Sequence, residues 1–129
     1  MSIPITALYA GVLGLLAVFL ANLVLWGRLR TGRVPEWTHE ALTRTQANFV
    51  EQVPLAVVLL LILELQGTAN SMLHAFGASL VVLRIAHAWG MSRNPVTQAN
   101  YPRLIGAQGT FALISVMAVA AIYSYVVGE

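Results

Sequence analysis

The amino-acid sequence predicts an all-α integral membrane protein built as an up-down four-helix bundle, and three observations carry that reading. Of its 129 residues 58% are hydrophobic and only 9% are charged, whereas a soluble domain has about 25% charged residues. Four apolar stretches each approach the roughly 20 residues needed to cross a bilayer. The stretches are continuous rather than alternating, which excludes a transmembrane barrel and leaves helices, whose backbone groups are satisfied internally. The chain reads as one domain, residues 1–129, with spans near 3–27, 38–66, 70–91 and 103–127.

The first apolar stretch runs from Ile3 to Trp26, broken only by Thr6, Tyr9 and Asn22. It has no basic leader and is too long for the apolar region of a signal peptide, so it reads as a span. The second has an apolar core from Val53 to Leu63 and reaches spanning length only by continuing back through Phe49 and Asn48. Pro35 or Thr38 can start it, and Pro54 can kink it. The third, from Met72 to Met91, contains His74, Arg84 and His87, and Ser92-Arg93-Asn94-Pro95 ends it. Tyr101-Pro102 precedes the fourth, which runs from Leu104 to Val127. The links are short, as in Gln66-Gly67-Thr68-Ala69-Asn70, which implies antiparallel neighbours.

All seven basic residues are Arg, and Cys is absent. Disulfides, thiolate metal sites and cysteine nucleophiles are therefore excluded. A net charge of +2 is too small to suggest nucleic acid as a partner. Arg28, Arg30, Arg33 and Arg44 lie in or beside the first connection, and Arg93 and Arg103 flank the third. By the positive-inside tendency these connections are cytoplasmic and both termini face outward, into the periplasm if the membrane is a bacterial inner membrane. Trp26, Trp37, Trp89 and Tyr101 fall near the cytoplasmic ends, with Tyr123 and Tyr125 at the other, as interfacial aromatics do.

Charged residues inside spans mark candidate chemistry. Arg44, Asn48 and Glu51 fall within about 60° of one another on the second helix, and lipid-facing placement of that stripe is costly. Either it is a structural ladder between helices or it is functional, and the membrane context favours function. On the third helix, Arg84, His87 and Met91 share a face. Arg84 and Glu51 lie at comparable depth, which predicts a contact between them, as an ion pair or as two walls of a polar site. Such a pocket suits a zwitterionic ligand: Arg grips carboxylates bidentately, and Glu51 can accept from an ammonium.

Arg44, Gln46, Asn48, Glu51 and Pro54 reproduce the R-x-Q-x-N-x-x-E-x-x-P signature of the MAPEG family, the membrane-associated proteins in eicosanoid and glutathione metabolism. The resemblance extends to length, four spans, and an Arg at position 84. Gly90-Met91-Ser92-Arg93 resembles the family's G-Y-x-R segment, and Arg84-Ile-Ala-His87-Ala-Trp-Gly90 looks most like its small bacterial branch. The resemblance implies a homotrimer that binds membrane lipids around it and glutathione between subunits near the cytoplasmic face. It implies Arg44, Gln46, Asn48, Glu51, Arg84 and Met91 as glutathione-binding positions. Arg30, then Arg28, match the Arg that stabilises the thiolate in some members; a nearby guanidinium lowers a thiol pKa from about 8.5. His87 completes the catalytic candidates. The implied activity is a glutathione transferase or peroxidase acting on lipophilic electrophiles, with glutathione as co-substrate and no metal.

Three departures and several plainer residues complete the reading. Family transferases carry tyrosines where this chain has His87 and Met91. A Met cannot usefully hydrogen-bond a thiolate, while His87 either does so or is a helix–helix partner. The Arg that some relatives carry before the fourth helix corresponds to Arg103 with a gap, or to Gln98 without one. A non-catalytic lipid-binding or scaffold member is therefore the first alternative. A small multidrug transporter is the second, disfavoured because the first helix holds no carboxylate, only Asn22. Asn22 reads as an interhelical hydrogen-bonding residue, and Glu64 and His74 as headgroup-level residues. His39 lacks partners for a metal.

Overall fold

The computed structural model of the chain describes residues 3–29, 39–93 and 100–128. They form four helices in chain order, α1 (Ile5–Leu29), α2 (His39–Leu65), α3 (Asn70–Arg93) and α4 (Tyr101–Val127), with no strand among the described residues. Each is long and apolar enough to cross a membrane. At 1.5 Å per residue they measure about 36–40 Å against a hydrocarbon core of about 30 Å, so their ends reach the interfaces. Leu15, Phe19, Val82, Ile105 and Val119 are among the large apolar side chains on the outside, where a soluble protein would place charge. The protein is thus an all-α integral membrane protein. α2 continues as helix through Pro54. Pro35 and Thr38, the expected starting residues of α2, lie outside the described residues.

Consecutive helices pack antiparallel, and α2 and α3 also pack on each other to form the shared wall of the bundle. α1 covers one side of that wall and α4 the other, without touching each other. Leu20, Phe49, Val53, Leu60, Leu80 and Met117 belong to the core between them. Lipid tails are as apolar as these side chains, so helix association in a membrane depends on close fit and small residues. The α3–α4 seam is the tightest. A Cβ on Gly106 would lie 2.5 Å from the backbone nitrogen of His87 and 2.6 Å from the Leu83 carbonyl oxygen. A Cβ on Gly90 would lie 2.3 Å from the backbone nitrogen of Arg103. Neither position has room for any side chain.

Polar groups tie the helix ends together. α2 stops in a Schellman turn: Gly67, at φ 82°, donates to the Glu64 carbonyl (3.0 Å) and Thr68 to that of Leu63 (3.1 Å). The positive φ requires Gly here. Glu64, expected at headgroup level, instead accepts from the backbone N–H groups of Ile5 (2.5 Å) and Thr6 (2.8 Å). It thereby caps the N-terminus of α1, whose first amides lack intrahelical partners and whose dipole favours a carboxylate. His74 likewise has a specific partner: its Nδ1 lies 2.8 Å from the Tyr9 hydroxyl, and the two rings meet edge-on at 5.8 Å. Gln66 donates to the Ala121 carbonyl of α4 (3.1 Å). At the opposite end, Asn100 caps α4 by accepting from the Arg103 N–H (3.0 Å) and donates to the Gly90 carbonyl (2.7 Å). Tyr101 and Pro102, expected to precede α4, form its first turn, where Pro is well tolerated.

Asn22 does not bridge helices. Its Nδ2 donates to the Val18 carbonyl (2.9 Å) one turn earlier on α1, because at that position α1 turns the side chain away from the bundle. The Glu64 cap leads to the first testable expectation. Glu64→Ala should lower stability by roughly 1 kcal/mol, the usual cost of losing a helix cap, and Glu64→Gln by less. Circular dichroism melting of the detergent-purified protein would measure it; an unchanged midpoint for Glu64→Ala would show the cap to be energetically idle.

Candidate functional site

The candidate residues gather around the Arg-rich half of α2 and α3. Glu51 lies 14 residues before the end of α2 at Leu65, and Arg84 lies 14 residues after the start of α3 at Asn70. At 1.5 Å per residue both sit about 21 Å from the end that carries the termini. The matching depth expected for the pair is thus present, but the expected contact is not. Arg84 is 2% exposed and directs Nη1 to the Asn48 Oδ1 (2.6 Å) and Nη2 to the Gly106 carbonyl of α4 (3.1 Å). Glu51 is exposed, and its carboxylate pairs with no cation among the described residues.

Two features of the packing explain the difference. Asn48 lies about 60° from Glu51 around α2, and only Asn48 is turned toward α3. The glycine seam then draws α4 close enough for the Gly106 carbonyl to reach the guanidinium. That carbonyl also accepts from the Thr110 Oγ1 (2.6 Å), and Thr110 is fully buried. One polar node therefore joins three helices: Asn48 of α2, Arg84 of α3, and Gly106 with Thr110 of α4. Gly106 and Thr110 were missing from the candidates. The available signal was a Gly and a Thr one turn apart in an otherwise apolar span, a pattern that membrane helices use for close contact and hydrogen bonding.

Arg44 and Glu51 remain on the open face of α2. Arg44 pairs with Glu40 one turn away (3.0 Å), with both side chains more than half exposed. Gln46 does not join them. It lies roughly 160° around the helix from Asn48, on the flank where Val50, Val53 and Val57 meet α1. Those residues, with Phe49 and Pro54, face Ala10, Leu13, Gly14 and Ala17 across an open apolar groove of about 430 Å³. Gly14 has nothing within 4 Å of where a Cβ would stand, so the small residues of α1 leave this groove its width.

His87 and Met91, on the α3 face shared with Arg84, are 6% and 2% exposed. They are held within the chain's own interior, and the His87 backbone is in contact with Gly106. Arg30 lies outside the described residues, as does the side chain of Arg28. Among the described residues no three His, Asp or Glu side chains converge as a metal site would require.

Comparison with known proteins bears on these positions directly. No curated protein and no solved structure matches the chain. A sequence model of one family does, across residues 6–123. That match takes in all four helices and every candidate position from Arg28 to Met91. The chain belongs to the MAPEG family, membrane proteins associated with glutathione.

Proposed function

We propose that the protein binds glutathione against the open polar face of α2 and uses its thiol on lipophilic electrophiles drawn from the bilayer, as a transferase or peroxidase. The observation that carries this reading is the placement of Arg44 and Glu51. Both are exposed on the isolated chain, and Glu51 lies well inside a membrane-spanning helix. A carboxylate facing hydrocarbon at that depth is costly, so this face is covered by something polar. A second copy of the chain and a zwitterionic tripeptide together meet that need, with Arg44 facing a carboxylate and Glu51 an ammonium. In a homotrimer, Gln46 on the other flank of α2 would serve the site of an adjoining subunit. The Arg-rich end, and with it the site, is assigned to the cytoplasm of a bacterial cell by the positive-inside tendency. The apolar groove between α1 and α2 supports a lipophilic second substrate.

A non-catalytic glutathione-binding or lipid-binding role is the second reading. It is favoured by the burial of His87 and Met91, which leaves that α3 face without an open hydrogen-bonding group for a thiolate. Calorimetric titration of the detergent-purified protein with glutathione separates the possibilities. Binding together with a thiolate absorbance near ~240 nm at neutral pH is the result expected of an enzyme that lowers the thiol pKa. Binding without that absorbance would point to the non-catalytic reading. No binding would remove glutathione from the proposal.

A further inference from the structure

The Arg84–Asn48 bond has a chemical consequence for what Asn48 can offer a ligand. A guanidinium carries donors and no acceptor. The atom of Asn48 that meets the Arg84 Nη1 at 2.6 Å must therefore be the amide oxygen. The amide NH2 is then turned away from Arg84, and it has no partner among the described residues. Asn48 is half-buried at the edge of the face that carries Arg44 and Glu51, so this NH2 is available there.

Arg84 has little freedom to release the oxygen. Its Nη2 is fixed to the Gly106 carbonyl (3.1 Å), its Nε is buried without a partner, and the residue is 2% exposed. Rotating the Asn48 amide would set its NH2 against the guanidinium, donor against donor, and leave a buried charge without its acceptor. That arrangement is strongly penalised in a low-dielectric interior.

We propose that Arg84 is a positioning residue which holds Asn48 as a donor-only contact, so that the ligand group seated against Asn48 is a carboxylate. The inference rests on glutathione being the ligand and concerns the chemistry of one contact in its site. Arg84 then acts on the ligand through Asn48 rather than by gripping it. A carboxylate presents only acceptors, whereas a carboxamide brings an N–H2 of its own.

The test compares glutathione with two forms amidated at a single carboxyl, one at the γ-glutamyl α-carboxylate and one at the glycine. Calorimetry should show the parent protein favouring glutathione over one of these by at least about tenfold, as for a charge-assisted bond. In Arg84→Met the Asn48 amide is free to rotate and accept from the ligand's N–H2, so this preference should fall to about twofold or less. In Asn48→Asp the carboxylate keeps a partner for Arg84 but offers no donor, and the amidated form should bind better than glutathione. Asn48→Asp retains the tie between helices, so it reports even if Arg84→Met does not fold. A merely structural Arg84 would weaken both ligands by the same factor. An unchanged preference in either folded variant overturns the inference while glutathione binding stands. Failure of the parent to bind any of the three overturns the glutathione reading and this one with it.

Discussion

Gly106→Val should prevent the bundle from forming, and the fraction of protein recovered as a sharp peak in size-exclusion chromatography after detergent extraction should fall several-fold. The added Cβ would stand 2.5–2.6 Å from the backbone nitrogen and Cβ of His87 and the carbonyl oxygen of Leu83. Two of these are main-chain atoms of α3, and no side-chain rotation moves them aside. Relief requires the two helices to separate. Separation withdraws the Gly106 carbonyl from Arg84 and leaves the guanidinium with one acceptor in the interior. Overpacking typically costs 1–3 kcal/mol, and loss of a hydrogen bond to a buried charge a further 1–3, so about 3 kcal/mol or more is expected. That is a large fraction of the stability of a small domain. Gly11→Val is the matched control: nothing lies within 4 Å of a Cβ there, and its recovery should equal that of the parent. Equal recovery of Gly106→Val and Gly11→Val would refute the close seam.

Arg44→Ala and Glu51→Ala should each weaken glutathione binding by roughly ten- to a hundredfold, the range for a lost hydrogen bond to a charged group. Neither should change the melting midpoint of the ligand-free protein measurably. The separation follows from exposure. The Arg44–Glu40 pair is a solvent-side ion pair between consecutive turns of one helix, and such pairs contribute about 0–1 kcal/mol. Glu51 has no cationic partner in the chain to lose. Arg84→Ala is the contrasting case, since the same titration should be accompanied by a marked drop in the midpoint. If Arg44→Ala and Glu51→Ala melt early while the affinity of what remains folded is unchanged, their face is structural and not the site of a ligand.

The spans and the polar stripe could be read from residues alone because both depend on local pattern. Continuous apolar runs allow only helices in a membrane, and a fixed rotation per residue places Arg44, Asn48 and Glu51 on one side of α2. The partner of Arg84 could not be read that way. Glu51 and Asn48 are both at suitable depth, and charge alone favours Glu51. The choice depends on how α2 is turned relative to α3, and nothing within the α2 segment encodes that turn. It is set in part by Gly90 and Gly106, which look like ordinary helix-weakening residues until the opposing backbone is known. His87 and Met91 were expected to face a ligand because they share a face with Arg84. That face proves to be the one α4 covers. The Glu64 cap was equally hidden, since its partners lie nearly 60 positions earlier and are backbone groups with no side-chain signature.

That long separation has a consequence for biosynthesis. The chain emerges N-terminus first, so α1 crosses the membrane before Glu64 has been made. Until then the amides of Ile5 and Thr6 have water or lipid phosphate as their acceptors, which holds that end of α1 at the membrane surface. Only when the end of α2 arrives does a carboxylate from the chain itself replace them. The final seating of the first helix therefore waits on the completion of the second.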